Sequence, residues 1–177
     1  MPEPIDVETV KKRLGIRNDQ RDEEIAALIR AARGQIEDYS GHLLTRRSHK
    51  KYGTAFSAAA PIALNVWPVH DLVKVEHLGS DGVPTEILGC RLVVMGEPAR
   101  VFSPEGEAWP VAGLGYSIEV DAGWDEGEAP DQLLQAMLLL IGHWFENHEA
   151  TVVGTSAVEL PLGVRDLCHQ FRLPGFV

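Results

Sequence analysis

With 177 residues, 45% of them apolar and 24% charged, the chain can bury a core without metals or disulfides as staples, which suits one domain. Its net charge of −10 argues against tight nucleic-acid binding, because that affinity rests on neutralising phosphates. No apolar run is long enough to span a bilayer, and MPEPIDVETV lacks the basic and apolar regions of a signal peptide, so a soluble, intracellular chain with no membrane partner is expected.

The charge is unevenly spread. Residues 1–60 hold 11 Lys/Arg against 9 Asp/Glu, whereas residues 61–177 hold 5 against 17. An acidic surface of this kind suits a protein past which DNA must slide without sticking. Cys90 and Cys168 lie far apart in unlike contexts and read as two thiols of a reducing compartment.

In chain order, Asp6 is placed to cap a short helix with Val7, Val10 and Leu14 on one side and Gly15 at its end. A second helix starts near Asp19 or Asp22, with Asp22, Glu23 and Glu24 in the first turn, where the helix dipole favours acids. Its stripe is Ile25, Leu28, Ile29, Ala32, Ile36 and Tyr39, and Ser40-Gly41 stops it.

From Leu43 the period changes. Arg46–Tyr52 predicts a strand whose basic residues read first as a solvated face, with an acidic partner as the alternative. Short strands follow at 62–66, 72–78, 91–95, 99–102 and 116–120. Dense Pro/Gly turn chemistry separates them, including the bend Trp67-Pro68-Val69 and the turn Gly79-Ser80-Asp81-Gly82. This predicts a small antiparallel sheet or barrel-like unit, and the lack of βαβ alternation excludes a parallel nucleotide-binding sheet.

A loop rich in Gly and acid leads into a helix beginning at Pro130-Asp131. Leu134, Met137, Leu138, Ile141 and Phe145 form one stripe, Leu133, Leu140 and Trp144 widen it, and Leu139 lies well off its centre. That is more than one buried face, so one face is expected to close the chain's own core and another to meet a second subunit. Thr151–Glu159 is a Val/Gly/Thr connector, read either as a surface loop or as a segment that adds to a neighbouring chain. A last helix opens at Pro161 and closes at Pro174-Gly175.

The chemical constellations are weak. His143 and His148, five apart, project about 140° from each other on a helix, unlike the three- or four-residue spacing of metal pairs. His143 suits an ordinary bond to Asn147 or Glu146. Cys168 and His169 are adjacent and face apart. No phosphate loop or nucleophile elbow is present. Asp121, Asp125, Glu126 and Glu128 form an acidic loop without the ligand order of a calcium loop. The tryptophans at 67, 109 and 124 lie beside Pro or Gly and suit corner packing. No catalytic residue, metal or cofactor is assigned.

The layout as a whole resembles the head–tail connector (adaptor, head-completion) proteins of long-tailed phages, prophages and gene transfer agents. The resemblance is carried by LGI followed by DEEIAALIRAARGQIEDYSG, the WPV corner before V-K-V, and YSIEVDAGW. The P-x-x-L-x-Q-A helix, HWFENHEATVVG and ELPLGVRDL complete it. It implies an α+β fold: a single domain with a small helical bundle from 1–42 and 129–177 and a β-rich antiparallel insertion at 43–128. It also implies a non-enzymatic ring, typically of about twelve subunits, beneath the portal protein. The other partners are neck and tail-completion proteins, and DNA passes through without specific binding. The protein would reside in the bacterial cytoplasm during assembly and then in the neck of a virion or virion-like particle. The expected subunit and portal contacts are Leu139, Trp144, Thr151, Val152, Val153, Thr155, Val158, Phe171 and Phe176. Competing readings are a small metal-dependent hydrolase using the acidic loop and His143, and a tail-terminator or decoration protein.

Overall fold

The computed structural model describes residues 2–54, 60–110, 112–147 and 160–174. The chain divides into two compact units: a helical one (residues 1–45 and 125–172) and a β-rich one (residues 46–124, with 173–175). Together they make an α+β fold with helices at both ends of the sequence.

In the helical unit, α1 (Val7–Leu14) begins where the Asp6 carboxylate accepts the Thr9 N–H at 2.6 Å and ends at Gly15, φ 72°. That left-handed turn favours glycine. α2 (Asp22–Ser40) carries Asp22, Glu23 and Glu24 in its first turn and stops at Gly41, φ 79°. Ile25, Ile29, Ala32 and Ile36 are fully buried along it at 3/4 spacing. α3 (Asp131–Glu146) follows Pro130 and packs against α1, α2 and α4 (Leu162–His169).

Polar groups fix the chain paths around these helices. Lys11 is buried, and its ammonium lies 2.5 Å from Asp19, 3.1 Å from Glu8 and 3.2 Å from Asp22. One cation therefore ties α1 to the start of α2, and the hydrogen bond it donates to Asp19 foremost holds the Lys11 pKa above its usual value. At the other end of α2, buried Glu37 accepts the Leu44 N–H at 2.8 Å and pairs with Arg33 at 3.2 Å. Ser40 donates to the Ile36 carbonyl at 2.8 Å and accepts the His42 N–H at 3.1 Å. These bonds satisfy the backbone of a segment, 41–45, that is buried throughout, as a buried turn requires.

The β-rich unit holds two antiparallel sheets. One orders β1 (Arg47–Gly53), β7 (Gly115–Ala122), β3 (Val69–Leu78) and β4 (Pro84–Glu86) as β1-β7-β3-β4. The other orders β2 (Ile62–Ala63), β6 (Arg100–Phe102) and β5 (Arg91–Val93) as β2-β6-β5. On the first sheet Ile118, Val120, Ala122, Val69 and Val75 are buried, while Ser117, Glu119 and Asp121 occupy the other face of β7. The register of β3 against β7 shifts twice, between Val69 and Asp71 and between Leu72 and Lys74.

Two sequence expectations change in detail. β4 was not foreseen, and the strand expected over 62–66 is ordered only at Ile62–Ala63. The two cysteines are free, as expected. Cys168 is buried and its thiol is pushed up to about 11 by desolvation. Among the described residues no helix is long and apolar enough to cross a membrane.

Candidate assembly interface

α3 buries only Met137 and Ile141 of the stripe that its sequence suggests as central. Leu133, Ala136, Met137, Leu140 and Ile141 are fully buried, with Trp144 at 9% exposure. Leu134, Leu138 and Phe145 are half-buried, and Leu139 is 36% exposed. The helix thus has one closed face and a second apolar row with solvent access. Phe145 on that row lies under the Arg21 guanidinium, 4.0 Å from the ring centroid. Arg21 also grips Glu24 through bonds of 2.7 and 2.8 Å, so this cation–π contact belongs to a fixed surface.

Of the expected contact residues, Leu139 is exposed and Trp144 gives most of its ring to the subunit's own core. Phe171 is half-buried, edge-on to His42 with centroids 5.5 Å apart at 79°. Thr151, Val152, Val153, Thr155, Val158 and Phe176 lie outside the described residues, as does His148.

The basic run at 46–51 is largely spent inside the β-rich unit. Arg46 bonds Asp121 at 2.6 and 2.9 Å, Lys50 pairs with Glu119 at 3.2 Å, and Lys51 donates to the Ala63 carbonyl at 2.7 Å. The Arg46 hydrogen bond foremost holds Asp121 below the usual carboxylate range, and bonds from Ser48 and Lys50 do the same for Glu119. The face carrying Arg46, Ser48 and Lys50 is solvated and internally compensated, as the first reading of this run expects, whereas Lys51 is half-buried on the other face.

Other exposed apolar side chains were not singled out from sequence. Tyr52 is 72% exposed, Leu114 60%, and Met95 95%. Tyr52 and Leu114 border an apolar groove of about 320 Å³ that also takes in Leu78, Pro84 and Tyr116. The groove depends on glycine. A Cβ on Gly53 would collide with the Tyr116 ring, and one on Gly115 would lie 2.5 Å from the Gly53 carbonyl oxygen. Single apolar residues beside turns carry no periodic signal, so only tertiary placement makes this surface visible.

The hydrolase chemistry does not assemble around the proposed groups. His143 is exposed, its carbonyl accepts from Asn147 Nδ2 at 2.8 Å, and its ring lies 3.4 Å from the same amide. Asp121 is committed to Arg46. Among the described residues the only carboxylate cluster close enough to share an ion is Glu8, Asp19 and Asp22, and the Lys11 ammonium already occupies it.

The described residues combine an α+β fold, a helix with a second, half-buried apolar row, a sheet face of paired charges and exposed apolar side chains. Residues 4–65 match the family model of the phage gp6-like head-tail connector proteins. Solved structures extend the likeness across the whole chain. One, the neck of an empty gene transfer agent (GTA) particle computed with C6 symmetry, shares 22% identity at a TM-score of 0.77, covering 96% of this chain and 89% of that one. A chain in the virion of a native gene transfer agent particle shares 23% identity at 0.74, covering 98% and 94%. A third, in the neck of a native GTA particle computed with C12 symmetry, shares 25% identity at 0.67, covering 92% and 87%. No curated protein sequence matches the chain. The family match and the fold support a structural connector role, not an enzymatic one.

Proposed function

We propose that this chain is the subunit of a connector ring that joins a DNA-filled head to its tail. The ring forms from about twelve copies through a heterologous, head-to-tail contact. It docks on the portal protein and offers its far side to the next neck or tail component. Subunits are made in the bacterial cytoplasm and end in the particle neck, with both units of the chain acting as one protomer. The observation that carries this reading is the likeness over 92% of the chain to a component of a neck computed with C12 symmetry, joined to the connector-family match at residues 4–65.

The proposed contacts divide between Leu139 on α3 and the connector residues Thr151, Val152, Val153, Thr155 and Val158, with Trp144, Phe171 and Phe176 completing the surface. DNA traverses the ring without specific binding, in keeping with the acidic balance of the chain. Deleting the gene tests the role. Particles lacking this chain should be filled or leaking heads without tails, restored when the chain is supplied in trans. Normal tailed particles from the deletion strain would refute it.

A further inference from the structure

The β-rich unit carries two exposed surfaces of opposite charge, each with an apolar end. The first is one face of the three-stranded sheet. Arg91 pairs with Phe102 and Val93 with Arg100, so these four side chains share a face, with Leu92 and fully buried Val101 on the other. Arg91 and Arg100 are exposed and form no ion pair among the described residues, and Met95, 95% exposed, stands just beyond the strand end.

The second surface is the groove bordered by Tyr52, Leu114 and Pro84, which runs into acid. Glu76 and Glu86 are directly opposed in the β3/β4 pair. Like charges in that position are unfavourable within one subunit. Glu76 is compensated by Lys74 at 2.7 Å and Ser117 at 3.0 Å, whereas exposed Glu86 makes no ion pair among the described residues.

Each surface joins an apolar end to a charged one: Pro84 stands two positions from Glu86 along β4, and Met95 stands two positions beyond Val93, whose cross-strand partner is Arg100. A ring closed by a heterologous contact needs two different and mutually complementary patches on every subunit.

We infer that these are the two halves of a contact between copies of this chain: Met95 of one copy enters the Tyr52/Leu114 groove of the next, and Arg91 and Arg100 face Glu86. The composition is that of an interface centre, an apolar anchor flanked by arginines and an aromatic. The inference rests on the ring reading and locates a β-unit contact that supplements the one proposed for α3.

The test uses the full chain in a Cys90→Ser background, with Cys168 left buried. Met95→Cys copies are mixed with Leu114→Cys copies and treated with a short bismaleimide, with and without portal. The expected product is a cross-linked dimer in the mixture and in neither variant alone, and a ladder from the double variant. R91E/R100E should lower the yield by about tenfold, and adding Glu86→Arg should restore it. Unchanged circular dichroism and Tm in R91E/R100E would separate this effect from misfolding.

Cross-linking between Leu139→Cys and Thr155→Cys copies, with none between Met95→Cys and Leu114→Cys, would overturn this contact and leave the ring standing. No cross-linking of either kind would overturn both. If R91E/R100E left the yield unchanged but abolished a salt-sensitive association with DNA, the arginine face would serve nucleic acid and the inference would fail.

Discussion

Acid should destabilise the helical unit through His42, and the size of the effect follows from its burial. His42 is 2% exposed, packed edge-on against Phe171 at 5.5 Å. Desolvation pushes its pKa down from 6.5 to about 4, and a hydrogen bond to the Phe171 backbone offsets only part of that. The folded protein therefore holds a neutral imidazole where the unfolded chain binds a proton. Stability is fully present above the unfolded value near 6.5 and is lost as pH falls toward the folded value near 4. Between pH 7 and pH 5 the loss from this one group is about 2 kcal/mol. For a chain of this size that lowers Tm by roughly 4–8 °C. Urea unfolding followed by circular dichroism at half-unit pH steps measures it, and stopping at pH 5 keeps most carboxylates ionised. His42→Leu should flatten the slope across the same window. A wild-type stability that is level from pH 7 to 5, or a His42→Leu protein that keeps the slope, would refute the reasoning.

Three further outcomes follow from packing and backbone geometry. Leu140→Ala empties a fully buried position on α3 and should cost about 2–5 kcal/mol in chemical denaturation. Gly115→Ala places a Cβ 2.5 Å from the Gly53 carbonyl at φ 154° and should destabilise the β-rich unit by about 2 kcal/mol or more, read as a lowered denaturation midpoint. Leu139→Asp, at a 36% exposed site, should leave the isolated subunit's Tm within about 2 °C while abolishing ring assembly by native mass spectrometry with portal.

Local chemistry made the helix ends legible from sequence. Asp6, Gly15, Gly41 and Pro130 each impose a backbone or capping requirement that is met without tertiary help. The strands were legible where β-branched and charged residues alternate, as in Gly115–Ala122. Their pairing was not legible, because joining β1 to β7 closes a long loop that no local signal encodes. β4 escaped because Pro-Thr-Glu has neither alternation nor apolar character and is ordered only by lying against β3.

The phase of α3 illustrates a general limit. A helix apolar around most of its circumference does not state which side its neighbours take. Packing against α2 and α4 buries Leu133, Leu140 and Trp144 more deeply than Leu134, Leu138 and Phe145. Lys11 was hidden for the opposite reason: a lysine on a short helix reads as surface, and only the fold brings Glu8, Asp19 and Asp22 around it. The contact surface at Tyr52, Leu114 and Met95 is assembled from positions distant in the chain, so its parts are visible in the sequence and their proximity is not.

Electron cryo-microscopy of the portal co-assembled with this chain tests the connector account most directly. The account predicts a closed ring of about twelve subunits stacked coaxially beneath the portal, with Leu139 on α3 and the β-rich unit both at subunit boundaries. A portal that stays bare at saturating concentrations of the chain, under conditions in which other neck components still bind, would contradict it.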